Sequence, residues 1–444
     1  MIKKIGFFIL YFLSPVLPIA AIYASSPGYY GSSGFVPMVL GAIAFTWLNA
    51  QLILSARPKL IESVFGLDRF YRFHSLMAVI AIPIAFIHKI LKGFVFPESF
   101  QTKLGDVAIV IFITAAVLAL VFMIDTLVRM VKPLQLVRAF GQKIKIGKYN
   151  IQVLLHNLNV VAVVLIFIHV MLSNSARNPF AKGVYILYFV VSMAFYLYHK
   201  VIRPYFLSKP FVVEEVIAES ASICSLKMRP ESGEVFSYQP GQFAFFRIMG
   251  HGISAEEHPF SISSQPSDKK HLSVTIKNLG DWTAGVNKIT AGSRVMIDAP
   301  YGIFSPLRHN GEKGIVLIAG GVGITPMLSI LRYYHENHSE QKLMLFWGLN
   351  DQSEMICNSE FEAFQKDMKN FTFIPVISRD ESFEGEKGYV TGKILERRIQ
   401  ENGYVLPELQ YYFCGPAVMQ ANILKSLQSM GVKSQNIHYE SFSL

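Results

Sequence analysis

Apolar residues dominate the chain up to Pro204 and are broken there only by short clusters of charge; beyond Pro204 the apolar runs shorten and polar residues separate them. Six of the long runs, near 5–24, 35–55, 73–91, 104–124, 151–172 and 183–202, approach the ~20 residues that an α-helix needs to cross a bilayer. Lys3 and Lys4 ahead of the first run resemble the start of a signal peptide. No small-residue cleavage site separates it from the second run, so it is read as a retained helix. Residues 211–300 alternate β-rich runs with turn signals, at 211–218, 222–228, 241–248, 271–277 and 294–297, which predicts a small antiparallel barrel. From Gly314 strand and helix alternate: 315–319 is a buried strand, and 343–347, 371–377 and 411–413 predict its neighbours in a parallel sheet. The pattern predicts a multi-domain chain, with a six-helix transmembrane α bundle over 1–205, an antiparallel β-barrel domain over 206–308 and an α/β domain over 309–444.

The charge of +10 changes this picture by giving it a direction. Lys and Arg gather at 3–4, 57–59, 69–72, 129–148 and 200–209, all on one side of the predicted spans, against Lys89, Lys92, Lys103, Arg177 and Lys182 on the other. Positive residues collect in the cytoplasm, so both termini are expected there, in a multi-pass protein of the cell (inner) membrane. The excess charge is then a topology signal, not a nucleic-acid footprint. Cys224, Cys357 and Cys414 show no paired spacing, which suits a reducing compartment and argues against a zinc or iron–sulfur site.

Two of the apolar runs each carry two histidines, His74 with His88 and His156 with His169. An imidazole inside a bilayer is costly unless it ligates, pairs or faces water. Facing neutral imidazoles on two helices form a bis-histidine haem site. The separations are 14 and 13 residues, which at 1.5 Å per residue put two levels roughly 20 Å apart, within a hydrocarbon core of about 30 Å. Phase is less tidy than height: at 100° per residue, 14 residues return to within roughly 40° of the starting face and 13 fall about 140° short. The second helix therefore needs supercoiling, a distortion, or a second haem rotated against the first. With the N-terminus inside, His74 and His156 form the inner pair, and His88 and His169 the outer. Arg69, Arg72, Lys89 and Arg177 lie near these levels, as partners for haem propionates or as interfacial anchors.

In the α/β half, Gly320-Gly321-Val322-Gly323-Ile324-Thr325-Pro326 joins a strand to a helix. Glycines there let the backbone approach a pyrophosphate, and the helix start supplies free amides. Cys414-Gly415-Pro416 ends another strand at the same sheet edge, where ligands of open α/β sheets bind.

His258-Pro259-Phe260-Ser261, Gly280-Asp281-Trp282-Thr283, the glycine loop and Cys414-Gly415-Pro416 follow one another in the order seen in the ferredoxin–NADP reductase superfamily. With the four-histidine half attached, nearly the whole chain resembles the transmembrane NADPH oxidase and ferric reductase family in its compact prokaryotic form. The resemblance implies FAD on His258 to Ser261, with Phe260 against the flavin ring and Ser261 near its reactive edge. Thr275, Lys277 and Gly280 to Thr283 would border its phosphates and ribityl chain. Soluble relatives often have Arg where His258 stands, and Lys277 is the substitute cation. Gly320, Gly321, Gly323 and Thr325 would hold the nicotinamide nucleotide, with Cys414, Gly415 and Pro416 beside the hydride-transferring ring. Phe442 resembles a terminal aromatic that covers the flavin until nicotinamide displaces it. Ser378-Arg379, with Lys387 and Tyr389, resembles the segment that grips the 2′-phosphate of NADP, where fixed positive charge is the physical requirement.

The cofactors implied are FAD and two haem b groups, with NADPH as donor. Flavin is needed because nicotinamide gives two electrons and haem accepts one. Dioxygen, yielding superoxide and then hydrogen peroxide, is the first reading of the acceptor and a ferric chelate the second; a quinone or an extracytoplasmic protein is the third. Some relatives among the oxidases carry an extra histidine one turn beyond the outer ligand, where this chain has Lys92. A transporter or proton channel would also use intramembrane histidines, but it explains neither their pairing nor the flavin motif.

Overall fold

A computed structural model describes residues 2–25, 34–94, 97–122, 128, 131–143, 149–249, 254–280, 282–309 and 311–440. It divides into two compact units, residues 1–65 with 69–202, and residues 66–68 with 203–444.

The first unit is helical: α1 (Ile2–Leu13), α2 (Val16–Ser25), α3 (Phe35–Ser55), α4 (Lys59–Phe65), α5 (Leu67–Gly93), α6 (Phe100–Phe122), α7 (Lys132–Lys143), α8 (Tyr149–Met171) and α9 (Pro179–Leu197). Among the described residues six helical stretches are long and apolar enough to cross a membrane, the first being α1 and α2 together over Lys3–Ala24. Pro15 separates these two, and Ser14 turns its hydroxyl back to the Tyr11 carbonyl. The helices run past the apolar cores read from sequence. Thus α5 begins at Leu67 and takes in Arg69 and Arg72, because only the apolar part of a helix must match the bilayer while its polar ends stay helical. Asn178 caps α9 by accepting from the Ala181 amide at 2.8 Å, with Pro179 in the first turn. A π-helical segment, Tyr198–Leu207, follows and contains Pro204, which has no N–H to offer the ladder.

The second unit holds two six-stranded sheets. The first is antiparallel, built from β1 (Lys209–Ser220), β2 (Ile223–Pro230), β3 (Phe243–Met249), β4 (Glu257–Ser261), β5 (Leu272–Lys277) and β6 (Arg294–Tyr301), in the order β4-β3-β6-β1-β2-β5. It is the antiparallel, barrel-like sheet expected, and among the described residues its edge strands are joined by the isolated bridge Ile262–Val274. Its core includes Phe211, Leu226, Phe246, Leu272 and Ile297. The second sheet is parallel in all its described pairings, with β7 (Ile315–Gly320), β8 (Leu343–Leu349), β9 (Phe371–Ile377), β10 (Glu386–Lys387), β11 (Gln410–Cys414) and β12 (Ile437–Glu440) in the order β10-β9-β8-β7-β11-β12. Helices α10 (Ile324–Glu336), α11 (Asn358–Asp367), α12 (Gly392–Glu401) and α13 (Ala417–Ser429) accompany it. Both faces of β7 are covered, so every one of its residues is buried.

An ion pair is buried at the start of this unit. Arg203 donates to Asp298 at 2.9 Å, Tyr301 donates its hydroxyl to the other carboxylate oxygen at 2.6 Å, and Arg203 lies over the Tyr301 ring. Asp298→Ala strands the guanidinium and is expected to cost about 3–5 kcal/mol. The check is the temperature at which the buried Cys414 thiol becomes reactive, which should fall clearly below that of the parent.

Candidate functional site

The four intramembrane histidines meet in two pairs. The His74 and His156 ring centres are 6.2 Å apart with their planes at 66°, and those of His88 and His169 are 6.3 Å apart at 90°. Two imidazoles bound end-on to one metal, with metal–nitrogen bonds of about 2.0 Å and about 1.1 Å from nitrogen to ring centre, would stand about 6.2 Å apart. Both separations would therefore accommodate one metal held between the two imidazoles. Among the described residues α5 alone of the long helices makes no extended close backbone approach to another, so the ring pairs reach across a separation, whereas α6 and α8 pack closely.

Contacts behind the rings resolve the awkward phase. His169 donates from Nδ1 to the Gln101 carbonyl on α6 at 2.8 Å, and His88 likewise to the Pro37 carbonyl on α3 at 2.6 Å. His169 thus meets His88 while lying against α6, and α8 needs no break. His74 Nδ1 and His156 Nδ1 are buried without a hydrogen-bond partner among the described residues. These carbonyls escaped the sequence reading because backbone acceptors carry no residue signature; Gly41 and Gly105, beside the His88 and His169 rings, were the available signal. Lys89 pairs with Asp106 at 3.0 Å near the same level.

In the antiparallel sheet, His258, Pro259, Phe260 and Ser261 lie on β4, paired with β3. The sequence reading had no strand there, because the run is five residues long and includes a proline. Trp282 spans two of them, its ring 4.2 Å from His258 and 5.7 Å from Phe260. Thr283 accepts from the amides of Leu279 and Gly280, both at 2.9 Å, and so shapes the turn. Thr275 shares a hydrogen bond of 2.8 Å with Ser225, and Lys277 ends the same strand. The Ser261 hydroxyl is buried and unpartnered among the described residues, a polar atom left for a ligand to satisfy. Burial lowers the His258 imidazole below its ordinary value, against the opposing pull of Glu256. A neutral His258 offers a hydrogen bond where an arginine would offer charge. Asp281 and Phe442 lie outside the described residues.

The parallel sheet brings its loops to one edge. Gly320 ends β7, Ser378 and Arg379 follow β9, and Cys414 ends β11. The Ser378 and Arg379 amides donate to the carbonyls of Leu349 and Asn350 at 3.0 and 2.8 Å, which fixes this edge. Arg379 is exposed there, and Lys387 donates to the Glu381 carbonyl at 2.6 Å. A side chain at Gly323 would overlap the Cys414 carbonyl, and one at Gly415 would stand 3.0 Å from the Gly320 backbone, so the two loops touch main chain to main chain. Gly321 takes φ +53°, with open space beside it, and its carbonyl accepts from the Trp347 indole at 2.9 Å. Thr325 is buried in the first turn of α10, and Pro416 abuts Gly320. Cys414 is wholly buried, and burial pushes its thiol well above the ordinary range.

Apolar helices that carry paired imidazoles, followed by these two nucleotide-type sheets, define a membrane oxidoreductase that uses NAD(P)H. Residues 40–167 match the ferric reductase like transmembrane component, 210–305 the FAD-binding domain and 317–425 the oxidoreductase NAD-binding domain. Taken in this order, the three matches are those of the membrane ferric reductase and NADPH oxidase-like family, with a ferredoxin–NADP reductase-type half. It is similar to the propane 2-monooxygenase reductase component of Mycolicibacterium goodii, 29% identical over 52% of this chain and 67% of that protein. It is also similar to the flavohemoprotein of Xylella fastidiosa (strain 9a5c), 28% identical over 52% of this chain and 58% of that one. The chain thus spans 58% to 67% of these relatives' own length. A flavohemoglobin from Malassezia yamatoensis, solved with bound FAD and heme, shares the fold at TM-score 0.51 and 16% identity, over 94% of this chain and 98% of that one.

Proposed function

We propose that the protein moves electrons from cytoplasmic NADPH across the cell (inner) membrane to dioxygen, with FAD and two b-type haems as carriers and superoxide, then hydrogen peroxide, as products. The observation that carries this reading is the pair of imidazole pairs, at 6.2 and 6.3 Å, between helices of membrane-spanning length. Bound FAD supplies the exchange between a two-electron donor and one-electron chemistry, and bound haem the one-electron carriers. His74 and His156 hold the inner group, and His88 and His169 the outer. The orientation rests on the lysines and arginines that keep both termini in the cytoplasm.

The remaining residues bind and orient. Phe260 lies against the flavin and Ser261 donates at its reactive edge. Lys277, Thr275 and Gly280 to Thr283, including Asp281, take the phosphates and ribityl chain, while the Gly320–Thr325 loop cradles the pyrophosphate of NADPH. Cys414, with Gly415 and Pro416, gives the nicotinamide a buried, uncharged wall, and Phe442 covers the flavin face until nicotinamide displaces it. Arg379, exposed at the sheet edge beside Ser378, meets the 2′-phosphate. A charge-assisted contact is worth about 1.5–3 kcal/mol, so Arg379→Ala should raise KM for NADPH roughly tenfold to a hundredfold and leave KM for NADH nearly unchanged. Equal effects on both nucleotides would make Arg379 an ordinary surface charge.

The test of the acceptor is purified protein in detergent with NADPH and FAD. Superoxide-dismutase-sensitive cytochrome c reduction should exceed anaerobic reduction of a ferric chelate. The reverse order would establish the second reading, ferric-chelate reduction, which the match to a ferric reductase like transmembrane component supports.

A further inference from the structure

The two outer histidines are held by the same device on two different helices. His88 donates from Nδ1 to the carbonyl of Pro37, and Gly41 lies four residues further along α3; His169 donates to the carbonyl of Gln101, and Gly105 lies four residues further along α6. In an α-helix the side chain at i+4 stands over the carbonyl at i, and here both of those positions lack one. A Cβ at Gly41 would come within 2.8 Å of the His88 ring, and one at Gly105 within 3.0 Å of the His169 ring. Either would press on the imidazole where it meets its carbonyl. By contrast Gly6 and Gly183, in other spanning helices, have nothing within 4 Å. The inner rings have no such support: Nδ1 of His74 and of His156 is unpartnered among the described residues.

We infer that Gly41 and Gly105 are positioning residues for the outer pair, opening two backbone carbonyls that orient His88 and His169 and make them stronger electron donors than the inner histidines. A carbonyl only accepts, so Nδ1 carries the proton and Nε2 is left with a lone pair for a metal. A hydrogen bond at the far nitrogen also raises the basicity of the ligating one, which favours the oxidised metal and lowers its potential. A lowered potential suits the centre that must reduce an outside acceptor by one electron. The inference rests on the haem reading above, and the experiment separates the two.

Parent, Gly41→Ala, Gly105→Ala and, as controls, Gly6→Ala and Gly183→Ala are purified as full chains. Each is assayed for haem per chain, for midpoint potentials by spectroelectrochemical titration, and for low-spin ferric signals by electron paramagnetic resonance. In Gly41→Ala and Gly105→Ala one midpoint should rise and one ferric signal change, with the other midpoint and signal unmoved; the controls should match the parent. A His74→Ala background, which leaves only the outer centre, should show the same rise directly. Unchanged midpoints in both glycine variants overturn the inference, as does an equal shift of both midpoints. Failure of both variants to accumulate while Gly183→Ala accumulates normally also overturns it, because packing alone then accounts for the glycines. A parent without haem would instead overturn the haem reading.

Discussion

Replacing His74 or His156 with Ala should lower the haem content from two per chain to one and abolish NADPH-driven reduction of external acceptors, while oxidation of NADPH by a soluble dye persists. The two rings are 6.2 Å apart, so removing one would leave the proposed haem with a single protein donor. Hydride transfer to flavin asks nothing of the membrane half, and the dye should draw electrons before they reach it. His88→Ala or His169→Ala should also leave one haem, and the haem that remains should be reducible by NADPH. The pyridine-haemochrome ratio and the dye rate decide the matter together. A normal ratio in all four variants would mean that the imidazoles pair for structural reasons.

Gly323→Ala should be strongly damaging to nucleotide use by the dehydrogenase half. The added carbon meets the Cys414 carbonyl and the Gly415 amide, which are main-chain atoms and cannot rotate away. Overpacking of this kind costs about 1–3 kcal/mol, and here it falls on the two loops proposed to hold the nucleotide, so kcat/KM for NADPH should drop roughly fivefold to a hundredfold. Binding of FAD should be unaffected, as measured by flavin fluorescence. Equal loss of flavin and nucleotide binding would indicate a general unfolding of this half.

The spans were legible because a bilayer imposes both composition and length, and α3 falls over 35–55 in both sequence and structure. Their ends were not, since Arg69 and Arg72 read as loop yet continue α5. Helix α7 was missed for a related reason: its apolar residues, among them Leu136, Val137 and Phe140, are interleaved with polar ones and never form a long run. In the second half, the buried strands of the parallel sheet were plain as continuous apolar runs, but β4 and β10 are too short to show a period. The histidine levels could be read from rise along the helix axis. Their pairing could not be read from rotation, because His169 is placed by a carbonyl on a neighbouring helix, and residue identities do not report that contact.

One seam within the dehydrogenase half bears on how such enzymes come to be assembled. Ser329 and Arg332 on α10 donate to the carbonyls of Ser264 and Ser263, both at 2.7 Å, while Glu360 on α11 holds the Arg332 guanidinium from the other side. At these two bonds the helix side of the seam uses side chains, and the sheet side is met through its backbone. Backbone carbonyls survive almost any substitution, so positions 263 and 264 are free to drift while the helix keeps two residues. A fusion that exchanges the segment from β7 onward between distant homologues should therefore stay joined provided the incoming piece brings its serine and arginine.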